Sequence, residues 1–232
     1  MPQLIAIATI PVIFILFYVY YSDKYKKGPV WILLLSLTGG AAIVPVVIRW
    51  EQAMSGIAEY YYSFQWQHAF IISFLVAGLC EESMKLLAFM LLIWRRSYFM
   101  EKFDAILYAV YISMGFALVE NIMYVVTGGT QTGLTRALTA VPAHAIFGIA
   151  MGFYLGKAKF SSRKRLFKIF RAWYVPLLLH GTYNYIIMAD IPYLLFTFVL
   201  YVVFLYLLGF KKLRTISNAS VFRPGGKKFS DH

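Results

Sequence analysis

Two adjacent carboxylates and a lysine, Glu81, Glu82 and Lys85, sit inside an apolar run from about Phe70 to Trp94. A run of that length can cross a bilayer. Ionisable side chains at membrane depth are expensive, so by default they mark a functional site. Three further apolar runs carry polar groups. One has Glu120 and Asn121, the next His144, and the third His180 with Asn184. A single buried charge can be a structural pair. Three carboxylates, two histidines and a lysine spread over four helices call for chemistry.

The spacing adds detail. Glu81 and Lys85 are four residues apart and share a helix face with Gly78, while Glu82 points about 100° away. Glycine there lets a second helix or a substrate backbone come close. One ionised and one protonated carboxyl would suit base and acid work. His180 and Asn184 are also four apart, so a proton-transfer group and an amide donor face one way. Hydrolysis of a peptide bond needs a water activator, an oxyanion stabiliser and a leaving-group acid. No Gly-x-Ser motif faces a histidine, and no H-E-x-x-H stands on one helix. Asp23, Asp104 and Asp190 all fall at helix ends, which excludes a two-aspartate site. A Glu-Glu/His/His constellation remains.

The elements that position these groups follow from composition. The chain is 61% hydrophobic and 14% charged, and a soluble domain carries nearly twice that charged fraction. The expected fold is all-α: a polytopic transmembrane helical bundle of about seven spans. They cover residues 4–20, 29–48, 68–94, 103–126, 138–155, 172–188 and 193–210. Residues 49–67, rich in aromatics, read as an interfacial helix, and 127–136 as a Gly/Thr-rich turn. Residues 1–210 form one transmembrane domain, and 211–232 a flexible basic tail. One cysteine excludes an intramolecular disulfide and a cysteine-rich metal cluster.

The net charge of +12 does not indicate nucleic acid. The basic residues crowd into the loops after the first, third, fifth and seventh runs, which reads as topology and contact with anionic lipids. Arg49 and Arg136 are the exceptions on the other side. The N-terminus is therefore expected outside and the C-terminus in the cytoplasm. Helix rise then puts Glu120 and His144 about six residues from the outer ends of their spans. Glu81 and His180 lie nearer the middle, so all can meet in one cavity in the outer half of the bilayer.

Four motifs in order carry a family resemblance: Glu-Glu-x-x-Lys at 81–85, Phe-x-x-x-Glu-Asn at 116–121, Pro-x-His-Ala at 142–145 and His-Gly-x-x-Asn at 180–184. Their order and spacing resemble the PrsW protease family. The first and last also resemble the CAAX prenyl protease and bacteriocin-immunity superfamily. Lys85 stands one residue early for that superfamily, and Glu120 replaces its second-motif histidine. The resemblance implies a bacterial plasma-membrane endopeptidase that makes the first cut in a single-pass anti-sigma factor. It implies that Glu81 and Glu82 activate water, that His180 and Asn184 steady the oxyanion, and that Glu120 and His144 complete the site.

The residues alone leave alternatives open. A proton- or cation-coupled transporter also uses Glu/His chains, although no inverted repeat is present. A non-catalytic immunity or binding protein could use the same cavity. Metal dependence is open too. Glu82, Glu120, His144 and His180 could hold Zn2+ with an open position, and a metal-free site with glutamate-activated water is equally compatible.

Overall fold

The computed structural model describes residues 1–61, 64–161 and 163–222. Those residues are mostly helical, with no strand among them. In order they form α1 (Pro2–Ser22), α2 (Val30–Ala42), α3 (Val44–Tyr61), α4 (Gln65–Phe70), a π-helical segment (Ile71–Gly78), α5 (Leu79–Leu92), α6 (Lys102–Leu138), α7 (Ala140–Lys159), α8 (Arg165–Met188) and α9 (Pro192–Asn218).

At the centre stands the first half of α6. It is apolar all round and buried from Phe103 to Ala117, as expected of a helix with neighbours on every side. A capping box starts it: the Glu101 side chain accepts the third-residue N–H, and Asp104 Oδ2 accepts from Glu101 N at 2.9 Å. α7 is buried almost continuously and lies along α6 through Gly148, Gly152 and Gly156, a small-residue seam of the kind that packs membrane helices. α1 is tied to α6 by Tyr111 Oη, which donates to Leu16 O at 3.3 Å, and by Asn121 Nδ2, which donates to Ala8 O at 2.9 Å. Asn121 therefore glues helices rather than facing substrate.

Large apolar side chains cover the outside, among them Phe14, Leu91 and Phe196. In water such a surface would aggregate; against lipid it is the expected finish. Four helical stretches among the described residues are long and apolar enough to cross a membrane: Pro2–Ser22, Val30–Tyr60, Lys102–Lys159 and Pro192–Asn218. The run bearing Glu81, Glu82 and Lys85 is divided among segments of 6, 8 and 14 residues, each below spanning length alone. The chain is a multi-pass helical membrane protein.

Three stretches differ from the sequence reading. Residues 44–61 continue the second span instead of starting a separate interfacial helix. Ile43 alone separates α2 from α3, and Val44, Val47 and Ala58 are buried. Residues 127–136 are helical on both sides of a break at Gly129, whose φ of 74° is open to glycine and costly for other residues. The break folds the last turns of α6 back, so that Arg136 reaches Glu120 and Asn121. Finally, α9 runs past residue 210 to Asn218, with Leu213, Ile216 and Ser217 buried. The rest of the expected tail, 223–232, lies outside the described residues.

Candidate active site

The site is built on the π-helical segment. Ile71–Gly78 is wider than an α-helix and changes the phase of α5, which starts at Leu79. Such segments recur at functional sites. At its end Gly78 meets α8 backbone to backbone. A Cβ there would come within 3.4 Å of Leu177 O and 3.5 Å of Gly181 N, and 2.9 Å of its own Ser73 O. This crossing sets Glu82 beside His180, one residue from Gly181.

Glu81, Glu82 and Lys85 are 4%, 0% and 1% exposed. Lys85 Nζ donates to Glu81 Oε2 at 3.0 Å and to Glu82 Oε1 at 2.8 Å, and lies 3.3 Å from His144 Nδ1. Glu82, expected to point about 100° away from Glu81, shares its partners because Lys85 is three residues from one glutamate and four from the other. The ammonium also lies 4.4 Å from the centre of the Phe116 ring.

Each histidine has a carboxylate behind it. His180 Nδ1 is 3.1 Å from Glu82 Oε1, and its Nε2 is 3.7 Å from Glu81 Oε1. The ring is stacked on Phe147, centroids 5.0 Å apart, which holds its plane. His144 Nε2 is 2.9 Å from Glu120 Oε2, and Arg136 donates to the same oxygen at 2.9 Å. Ser113 Oγ donates to His144 O at 2.6 Å and fixes that turn of α7 on α6. The two imidazole centroids are 5.2 Å apart.

All six residues expected from the sequence meet here. Glu81, Glu120, His144, His180 and Asn184 line one chamber of about 580 Å³, and Glu82 lies buried behind it, paired with His180. The metal-capable set differs from the expected one. Ligand atoms of Glu81, His144 and His180 lie within 4.8 Å of one another. Glu82 and Glu120 stand behind the imidazoles instead, where a carboxylate orients a ligating histidine.

Other residues escaped the sequence reading. Glu51 of α3 lines the chamber, as do Tyr124, Arg136 and Phe147. A second cavity of about 400 Å³ lies between α3 and α6, with Val44, Val47, Ile48, Phe116 and Met123 among its walls. Glu51, Ser55, Glu81, Glu120 and Tyr124 border both spaces and form the neck between them. Two signals were there to be read. Glu51 is an acid in the helical continuation of the second span, two residues after Arg49, and Arg136 breaks the rule that basic residues lie on the other side.

Charge balance constrains the centre. Glu51, Glu81, Glu82 and Glu120 face two fixed cations, Lys85 and Arg136. Uncompensated charge is costly at membrane depth. Two protons on the carboxylate–imidazole set, or one divalent cation, restore neutrality. One carboxylate and two imidazoles are a donor set suited to zinc, with a coordination position left for water. The residues present therefore fit a metal.

Fold and site together define a helical multi-pass membrane protein with a buried carboxylate–imidazole centre opening on a chamber. Residues 28–209 match the PrsW family of intramembrane metalloproteases, and the chain belongs to that family. It is 31% identical over 230 residues to Protease PrsW of Clostridioides difficile, covering 94% of this chain and 93% of that one. It is 34% identical over 212 residues to Protease PrsW of Oceanobacillus iheyensis, covering 90% and 95%. The Bacillus subtilis protein of the same name is 34% identical over 220 residues, covering 92% and 95%. No solved structure matches the chain.

Proposed function

We propose that this chain cuts a peptide bond in a single-pass membrane protein of the anti-sigma-factor type, on the side away from the basic loops. The observation that carries the reading is the gap between Glu81 and His180. Oε1 and Nε2 stand 3.7 Å apart, slightly too far to bond to each other and open to the chamber. A water between them can give its proton to Glu81 while its oxygen attacks a carbonyl carbon. The tetrahedral oxyanion then needs donors. Asn184 stands one helical turn from His180 on the chamber wall, and Lys85 supplies fixed positive charge beneath the carboxylates. The proton taken by Glu81 returns to the leaving nitrogen. Glu82 keeps His180 oriented through Nδ1, and Glu120 does the same for His144 through Nε2.

Glu81, His144 and His180 would hold a zinc ion, which when bound polarises the carbonyl and makes its water more acidic. The substrate strand runs through the neck, with side chains on one side in the apolar cavity between α3 and α6. Site-1 cleavage of an anti-sigma factor fits a site on the side away from the basic loops.

Co-expression with a tagged single-pass substrate tests the reading. Glu81→Gln and His180→Ala should each abolish the cleavage product at unchanged protein level, and Glu82→Gln should lower it. Full cleavage by all three variants would sink it.

A further inference from the structure

Two cavities run end to end between α1, α7 and α9. Pro142, Ala145, Ile146 and Ile149 of α7 line the first, whereas Ala140, Ala143, His144 and Phe147 line the catalytic chamber. α7 is thus the partition between them. The first cavity holds about 80 Å³ and is walled almost wholly by apolar groups, with Ile15 and Val19 of α1 opposite. The second holds about 450 Å³ and is lined by Ser22, Lys24, Arg214, Ser217 and Asn218. Tyr18, Phe210 and Leu213 border both, so an apolar slot opens into a basic, hydroxyl-rich mouth.

We propose that this groove binds an anionic glycerophospholipid, with one acyl chain along α7 and α9 and the phosphate at Lys24 and Arg214. The length of the groove suits a lipid leaflet, and the slot of about 80 Å³ takes a short stretch of the acyl chain. From Tyr206 to Ser217 the α9 wall rises about 17 Å at 1.5 Å per residue, about half of a 30 Å hydrocarbon core. The mouth has the matching chemistry: two cations, three hydroxyls and an amide line it, and among the described residues no acid does. Basic pockets between membrane helices are where anionic headgroups bind. The same charge argues against the C-terminal residues 223–232 as occupant, because Arg223, Lys227 and Lys228 would meet like charge.

The acyl chain lies against the turn that carries His144, whose neighbours Ala145 and Ile146 form the slot wall. α9 touches α7 there, since a Cβ on Gly209 would come within 2.9 Å of Ile146 Cγ1. Lipid in the slot therefore braces α7 from behind the imidazole. Lipid binding itself requires none of the catalytic assignments.

The test is native mass spectrometry of the full chain, delipidated in neutral detergent and titrated with dioleoylphosphatidylglycerol or dioleoylphosphatidylcholine. One phosphatidylglycerol should be retained about tenfold more tightly than phosphatidylcholine. Lys24→Ala/Arg214→Ala should lose that preference, and Ile149→Trp should weaken both lipids by filling the slot. The double variant changes only exposed side chains, so it keeps the test decisive should Ile149→Trp not fold. Equal retention of the two lipids, or an unchanged preference in the double variant, overturns the site. So does displacement of lipid by inorganic phosphate alone, which would mark a free-anion site. Tighter lipid binding after truncation at Phe222 would make the tail the occupant and overturn it as well.

Discussion

Glu82 Oε1 lies 3.1 Å from His180 Nδ1. A carboxylate only accepts, so His180 carries its proton on Nδ1 and leaves Nε2 as the working atom toward Glu81. Glu82 is then a positioning residue, and Glu81 is the one that meets water. Glu82→Gln keeps the shape but can present an N–H to Nδ1 and turn the ring or its tautomer. Turnover of a purified substrate should fall by about 10- to 100-fold, with KM little changed. Glu81→Gln removes the base and should fall further, by about 10²–10⁴-fold. A Glu82→Gln loss equal to that of Glu81→Gln, or none at all, would contradict this division of roles.

Lys85 is the one lysine or arginine among the described residues that pairs with both adjacent glutamates. Lys85→Met would leave two buried carboxylates without it. Breaking a buried pair by removing one partner costs about 3–5 kcal/mol. Thermal unfolding in detergent should show a large drop in midpoint for Lys85→Met. Part of that loss should return in Glu81→Gln/Lys85→Met, where one charge is gone too. If the double variant is no more stable than the single one, electrostatic imbalance is not the cause.

What could be read from the sequence is the part that a bilayer makes conspicuous. Glu81, Glu82, Lys85, Glu120, His144 and His180 stand out because hydrocarbon rejects them, and the structure brings them together. The metal-capable trio was harder to see, because side-chain reach decides it. Glu82 and Glu120 bond to the backs of the imidazoles, while Glu81 faces His180 Nε2 and stands within reach of His144. Glu51 was hidden by a boundary placed at residue 48, since aromatic residues after it suggest a headgroup-level helix. Arg136 was hidden because a fold-back at one glycine, Gly129, leaves no periodic signal.

Glu51 gives a direct check on the neck between the two cavities. It borders both, together with Ser55, Glu81, Glu120 and Tyr124. Ser55→Trp would fill the passage while leaving every ion-pair residue in the sequence. A substrate displaced by even 1 Å can lose about 10²-fold in rate. Cleavage of a membrane-spanning substrate should therefore fall by about that factor in Ser55→Trp, with an unchanged unfolding midpoint. Unimpaired cleavage would mean that the strand does not pass between α3 and α6.

Zinc can be tested by removal and by ligand loss. Purified active protein should carry about one equivalent of zinc and lose cleavage on prolonged chelation, with recovery on adding the metal back. His144→Ala and His180→Ala should each lower the bound zinc, whereas Ser55→Trp should not. Active protein with no bound metal would assign water activation to Glu81 alone.

The far end of the bundle predicts a pH effect on stability that is independent of catalysis. Asp23 ends α1 and Glu101 caps α6, and both are buried with an oxygen that lacks a hydrogen-bond partner. Burial pushes both carboxyls above their ordinary values. Lys26, Lys27 and backbone N–H groups oppose it at Asp23, while the Ser220 hydroxyl opposes it at Glu101. With folded values above unfolded ones, the stability they contribute is fully present below the unfolded values. It is lost as pH rises through the folded ones. The unfolding midpoint of the wild type should therefore decline as pH rises above the ordinary carboxylate range of about 4. Asp23→Asn/Glu101→Gln carries no such charge and should flatten that part of the profile, while Glu101→Gln keeps an acceptor for Ser220 and the cap. A double variant with the same slope as the wild type would show that other groups set it.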